Sequence, residues 1–119
     1  NNYRIFRYAD AILMMAECYC NLENAEETMR YLNMVRQRAG VDPVTNFTGF
    51  EDLTLAVRCE RARELGGEFQ RKFDLVRWGI AKEVLQAAGK NYQDKNALLP
   101  LPQTEIDKSN GVLVQNPDY

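Results

Sequence analysis

The residues best suited to chemistry crowd into one stretch, "ERARELGGEFQRKFDLVRWG", residues 60–79. Glu60, Glu64 and Glu68 recur every four residues, so on a helix they share a face, and two carboxylates held close can divide into an acid and a base. The same stretch sets an arginine within one helical turn of each acid: Arg63 for Glu60, Arg61 for Glu64, Arg71 for Glu68 and Arg77 for Asp74. Flanking arginines lower a carboxylate's pKa, the wrong direction for a general acid. The spacing therefore predicts an ion-pair network, partly buried beside Phe69, Phe73 and Trp78, that holds helices together. No catalytic residue is assigned.

Other constellations lead to the same place. The sequence has no histidine, which removes the commonest general base, the histidine-containing zinc sites and every Ser-His-Asp or Cys-His arrangement. Cys18 and Cys20 stand roughly 200° apart around a helix and cannot bridge each other. With Cys59 they read as three small, mostly buried thiols. Asp10 and Glu17 are expected to meet Arg36 or Arg38 from the next helix, in preference to a metal. No metal ligands and no cofactor are assigned. Arg58, Arg61, Arg63, Arg71, Lys72 and Arg77 could suggest a phosphate footprint, but four acids interleave with them, and nucleic-acid binding needs basic residues gathered on a face. For ligands, the aromatic residues matter more, because sugars present flat C–H faces to rings. Phe47, Phe50, Tyr92 and Tyr119 lie on loops, whereas Trp78 reads as core. Tyr92, in a polar loop, is the exposed residue chosen as candidate ligand contact.

The elements that position these residues are helical. Tyr8, Ile12, Ala16 and Tyr19, flanked by Leu13 and Met15, predict an amphipathic helix over residues 7–21. Asn24 caps a second helix, with Glu27 in capping-box position; Ala25, Met29, Leu32, Val35 and Ala39 form its stripe and Gly40 ends it. So short a connection predicts an antiparallel αα-hairpin. Residues 40–50 read as a loop, in which the sequon Asn46-Phe47-Thr48 is taken as chance. A third helix is predicted from Glu51 to Leu65, ended by Gly66-Gly67. A fourth starts near Glu68 with Phe69, Phe73 and Val76 on one face, and a short fifth covers Ile80 to Ala88. From Gly89 the chain turns to polar loop, an extended "LLPLP" segment, at most one helical turn in "TEIDKS" and an irregular tail. All ten arginines lie at or before Arg77, whereas four of the five lysines follow it. Ordered charge networks favour the planar arginine fork, so residues 5–88 read as a packed scaffold and 89–119 as loop and tail draped over it.

The bulk composition agrees. The 119 residues are 45% hydrophobic and 27% charged, with a net charge of −2 and a pI near 5.2, so no field over the whole chain favours nucleic acid or anionic membrane. The longest apolar run, "AILMMA", is too short to span a bilayer, and the chain opens without the pattern of a signal peptide.

Five blocks, "RYADAILMMAE" (7–17), "LNMVRQRAG" (32–40), "ERARELGGEFQRKFDLVRWG" (60–79), "LLPLPQTEI" (98–106) and "QNPDY" (115–119), together resemble the C-terminal region of SusD/RagB-like proteins. Asp118 stands where that family tends to have Gly, and Gly111 where Pro is frequent. The resemblance implies an all-α fold of tetratricopeptide-like antiparallel helix pairs with irregular loops and an extended C-terminal tail. It implies residues 1–119 as the C-terminal helical region of a longer, lipid-anchored protein on the outer face of the outer membrane of Bacteroidota, with Tyr119 its last residue and its anchor outside this chain. The implied function is capture of oligosaccharides or polysaccharides, in some cases peptides, and their delivery to a SusC-like TonB-dependent transporter, without catalysis. No binding residue carries over by motif, since much of the glycan site of such proteins lies in loops outside this region. The rival reading is a tetratricopeptide-like protein–protein interaction module with no ligand of its own.

Overall fold

The computed structural model describes residues 5–119, all-helical with no strand among them. The chain divides into two compact units, one running through Arg71 and the other Lys72–Tyr119. The division precedes the change of character that composition marks at Gly89.

The first unit holds α1 (Tyr8–Asn21), α2 (Ala25–Arg38) and α3 (Phe50–Glu64), each packed on the other two. In α1 the buried face is Ile12, Leu13, Ala16 and Cys20, together with Asp10. Tyr8, expected on this face, is instead exposed. In α2 the buried residues are Thr28, Leu32 and Val35; of the predicted stripe Leu32 and Val35 are buried, Ala25 and Met29 are half-buried, and Ala39, past the last helical residue, is exposed. α3 has a mixed face: Leu53 and Val57 are buried first, and one and two turns later the same face buries Glu60 and Arg61. The apolar part closes a core of Ile12, Leu13, Ala16, Leu32, Val35 and Val57. Tyr19 and Tyr31 stack across the α1–α2 pair at 5.6 Å between ring centroids.

The ends of α1 and α2 explain the hairpin. Asn24 Oδ1 accepts from the Glu27 backbone N–H at 3.1 Å, and Glu26 and Glu27 in the first turn with Arg36 and Arg38 in the last complement the helix dipole. α2 closes with Gly40 donating to the Gln37 carbonyl at 3.1 Å and Val41 to that of Arg36 at 3.0 Å, Gly40 taking a φ of 70°. α1 closes in the same pattern, Glu23 donating to Cys20 at 3.1 Å and Asn24 to Tyr19 at 2.9 Å, but here Glu23 carries the positive φ, 54°. This closure favours glycine because a Cβ crowds the neighbouring carbonyl in the left-handed region. The loop after α2 is pinned by Asn33, whose side chain both donates to and accepts from the Val44 backbone at 2.8 Å.

The second unit contains α4 (Arg71–Arg77) from Lys72 onward, α5 (Ala81–Ala87), a 3-10 turn at Asp94–Ala97 and α6 (Gln103–Lys108). Leu75, Ala81 and Tyr92 form its core, with Val76, Trp78, Ile80, Val84 and Leu85 packed against them. α4 starts later than the periodicity predicts. Phe69 follows the Gly66-Gly67 break with a φ of 62°, a conformation no helix continues through, and it is 84% exposed. α6 is longer than the single turn expected.

The tail is organised by side chains standing in for a neighbouring strand. The Gln115 amide accepts from the Leu101 N–H at 2.8 Å and donates to the Leu101 carbonyl at 2.9 Å, and Asn116 Nδ2 donates to the Leu99 carbonyl at 2.6 Å. The Tyr119 hydroxyl lies 3.1 Å from the carbonyls of both Lys95 and Leu98. Gly111 has a φ of 85°, which proline cannot adopt, and Asp118 has a φ of 66°, which glycine would adopt freely. The two departures from the family pattern thus fall where the local backbone is left-handed.

Candidate functional site

Glu60, Glu64 and Glu68 find their partners in other segments of the chain. Glu60 accepts from Arg36 Nη1 of α2 at 2.7 Å, and the same arginine's Nε holds the Asp42 carbonyl at 2.8 Å. Glu64 is gripped from two sides, by Arg7 Nη1 at 2.7 Å and by Arg38 Nη2, which straddles its oxygens at 2.5 and 2.6 Å. Arg7 Nε also donates to both oxygens of Glu68 at 2.8 Å. Arg61 pairs with Asp10 of α1 at 2.9 Å, each side chain only 4% exposed, and its Nε stands 4.0 Å from Glu17. Two expectations are therefore corrected. Asp10 and Glu17 meet Arg61 of α3, not Arg36 or Arg38, and those two arginines serve Glu60 and Glu64. Of the predicted near-neighbour pairs, Asp74–Arg77 forms at 2.9 Å.

The electrostatics follow the geometry. Hydrogen bonds from Arg7 hold the Glu68 carboxyl below its ordinary value. Arg7 in turn is pushed further up, by Glu68 first and Glu64 second, so it stays charged at any accessible pH. Among the described residues every buried side-chain nitrogen or oxygen has a hydrogen-bond partner. Such a network adds little net stability over an apolar core, but losing one buried partner costs about 3–5 kcal/mol. This arrangement fixes α3 against α1 and α2. Among the described residues no three His, Cys, Asp or Glu side chains cluster to hold a metal, and no helix is long and apolar enough to cross a membrane. Cys18 is exposed, unlike the buried thiol expected, because it faces away from the Cys20 side of α1; Cys20 Sγ lies 3.3 Å from Thr54 Oγ1.

The aromatic candidates sort differently from the sequence reading. Tyr92, expected exposed in a polar loop, is buried at 8%, because the loop turns its ring onto Leu75 and Ala81. Gln86 Nε2 fixes that turn by donating to the Tyr92 carbonyl at 2.9 Å. Its ring lines a small cavity of about 160 Å³ beside the Lys82–Asp94 ion pair, with no broad face open for stacking. Phe47 and Phe50 pack on each other at 6.0 Å, and the Tyr119 hydroxyl is committed to the tail. Trp78 is half-buried under the Arg77 guanidinium at 4.9 Å.

Phe73, which the helical stripe had assigned to the core, is an open aromatic of the second unit; it is 65% exposed and lines a cavity of about 430 Å³. Its i, i+4 relation to Phe69 suggested a shared buried face, but α4 begins after Phe69 and buries Asp74 and Leu75 instead. The signal available in the sequence was the paired glycine at 66–67, which ends one helix and leaves the first residues after it outside the next.

The first unit is thus a three-helix scaffold with a tetratricopeptide-like antiparallel pair, stapled by arginine–carboxylate pairs between segments. The chain matches the SusD family over residues 1–119 and belongs to that family. It is 34% identical to SusD-like protein P25 of Formosa agariphila across 98% of its own length and 24% of that protein's. Among solved structures it is similar to surface glycan-binding protein A from Bacteroides thetaiotaomicron, with a TM-score of 0.80 and 35% identity over 100% of this chain and 25% of that one. A SusD superfamily protein from Bacteroides vulgatus superposes with a TM-score of 0.86 at 28% identity, covering 98% of this chain and 27% of the other. The chain spans about a quarter of the length of the curated relatives it matches.

Proposed function

We propose that residues 1–119 form the C-terminal helical region of a SusD-like surface protein that binds glycans. In this reading the protein captures oligosaccharides at the outer face of the outer membrane, held there by a lipid anchor outside these residues, and hands them to a SusC-like TonB-dependent transporter. The observation that carries it is the family match over the whole chain, supported by the similarity to surface glycan-binding protein A at 35% identity. The role is binding and delivery without catalysis. Supporting that is the use of the acids at 60–68, each bound to an arginine from another segment and serving to position helices.

Affinity electrophoresis of the folded chain against plant, host and microbial polysaccharides tests the reading. Retardation by at least one glycan is expected. A chain that melts cooperatively yet runs unretarded on every gel would move glycan recognition out of these residues.

A further inference from the structure

The cavity of about 430 Å³ in the second unit is lined by Lys72, Phe73, Val76, Arg77, Ala97 and Leu99. Its volume suits a small ligand, its walls are mostly apolar, and both of its polar lining side chains are cations. Phe73 and Leu99 are 65% and 67% exposed, so an aromatic ring and an aliphatic side chain stand open at the same opening. The two cations differ in their freedom. Arg77 is held by Asp74 at 2.9 Å and lies over the Trp78 ring, which fixes its position. Lys72 is exposed and makes no ion pair among the described residues.

We propose that this cavity is a subsite for an anionic sugar residue, one bearing a carboxylate or a sulfate. The flat C–H face of the sugar stacks on Phe73 against Val76 and Leu99, and its anionic group meets the Lys72 ammonium, while Arg77, its charge matched by Asp74, serves as a fixed part of the wall. A neutral sugar would bring only hydroxyls to an apolar wall that offers them few partners; an anionic one gains a charge pair that also orients it. The inference rests on the glycan-binding reading above and narrows it to acidic glycans.

The test is an amide-resolved NMR titration of the 119-residue chain with three probes of equal length: an oligouronide, a sulfated oligosaccharide and a neutral oligosaccharide. Saturable shifts at Lys72, Phe73, Arg77 and Leu99 with an acidic probe are expected, and the two acidic arms identify which anion is preferred. Phe73→Ala should weaken that binding about tenfold. Lys72→Gln should abolish the preference over the neutral probe and flatten the salt dependence. Both side chains are exposed, so both variants should melt with the parent. Saturable shifts clustered elsewhere, or equal binding of the neutral probe, would overturn the subsite and leave the glycan reading standing. A folded chain whose spectrum moves with none of the three probes would overturn the subsite and count against glycan binding by this chain.

Discussion

Asp10→Ala is the sharpest test of the ion-pair scaffold. Asp10 on α1 and Arg61 on α3 meet at 2.9 Å with side chains only 4% exposed. Removing the carboxylate takes a charge partner from a buried guanidinium, at a cost of about 3–5 kcal/mol. Glu17 remains 4.0 Å from Arg61 Nε and recovers part of the loss, so the lower end, about 3 kcal/mol, is expected. For a unit of the size that ends at Arg71 a kilocalorie corresponds to about 4–8 °C in Tm, which puts the drop at about 12–24 °C. Differential scanning calorimetry is the assay, since it registers separate transitions if the two units melt apart. The double variant Asp10→Leu/Arg61→Met removes both charges and should return to within about 1 kcal/mol of the parent. Lys82→Gln, at an ion pair exposed by 54% and 81%, serves as control and should cost less than about 1 kcal/mol. An Asp10→Ala variant that melts with the parent would refute the buried-pair account. A double variant as unstable as the single would assign the loss to packing and not to stranded charge.

The other predictions concern the backbone, pH and the tail. Glu23→Gly should raise Tm, by a few tenths to about 1 kcal/mol in stability, because the residue closes α1 at a φ of 54°; a melt no higher than the parent's would count against strain there. Since the folded Glu68 carboxyl is held below its ordinary value, its contribution is complete above the unfolded value, about 4.3, and is lost as pH falls through the folded one. Tm measured on acidification below about pH 4.3 should therefore fall less steeply in Glu68→Gln than in the parent. Gln115→Ala leaves the Leu101 N–H and carbonyl without their side-chain partner, which should cost about 1–2 kcal/mol locally and speed hydrogen exchange at Leu101 and Asn116 relative to the α5 amides.

The helices of the first unit were legible because their signals are local: the Asn24 cap, the stop at Gly40 and the Leu32–Val35 stripe need only their own neighbours in sequence. The ion pairs were legible as a class but not as partners. Helical spacing offers Glu60 to Arg63 and Glu64 to Arg61, whereas the approach of α2 and α1 brings Arg36, Arg38 and Arg7 to those carboxylates instead. Phe73 and Tyr92 exchanged roles for a related reason. An apolar residue at helical spacing reads as buried and a tyrosine among polar residues reads as exposed, but the late start of α4 and the turn fixed by Gln86 reverse both. The tail read as irregular because Gln115 and Asn116 satisfy backbone groups some fourteen and seventeen residues away, a relation that leaves no periodic trace.

The long reach of those tail contacts also sets an order of assembly. The pairs Arg7–Glu64, Arg7–Glu68, Arg36–Glu60 and Asp10–Arg61 need no residue beyond Glu68, so they can form while later residues are still being synthesised. The 95–101 segment cannot reach its final state until residues 115–119 have emerged to bind it. During synthesis, Leu98 and Leu99 therefore wait with their backbone carbonyls unpaired by the tail, and the last five residues complete the unit in which they lie.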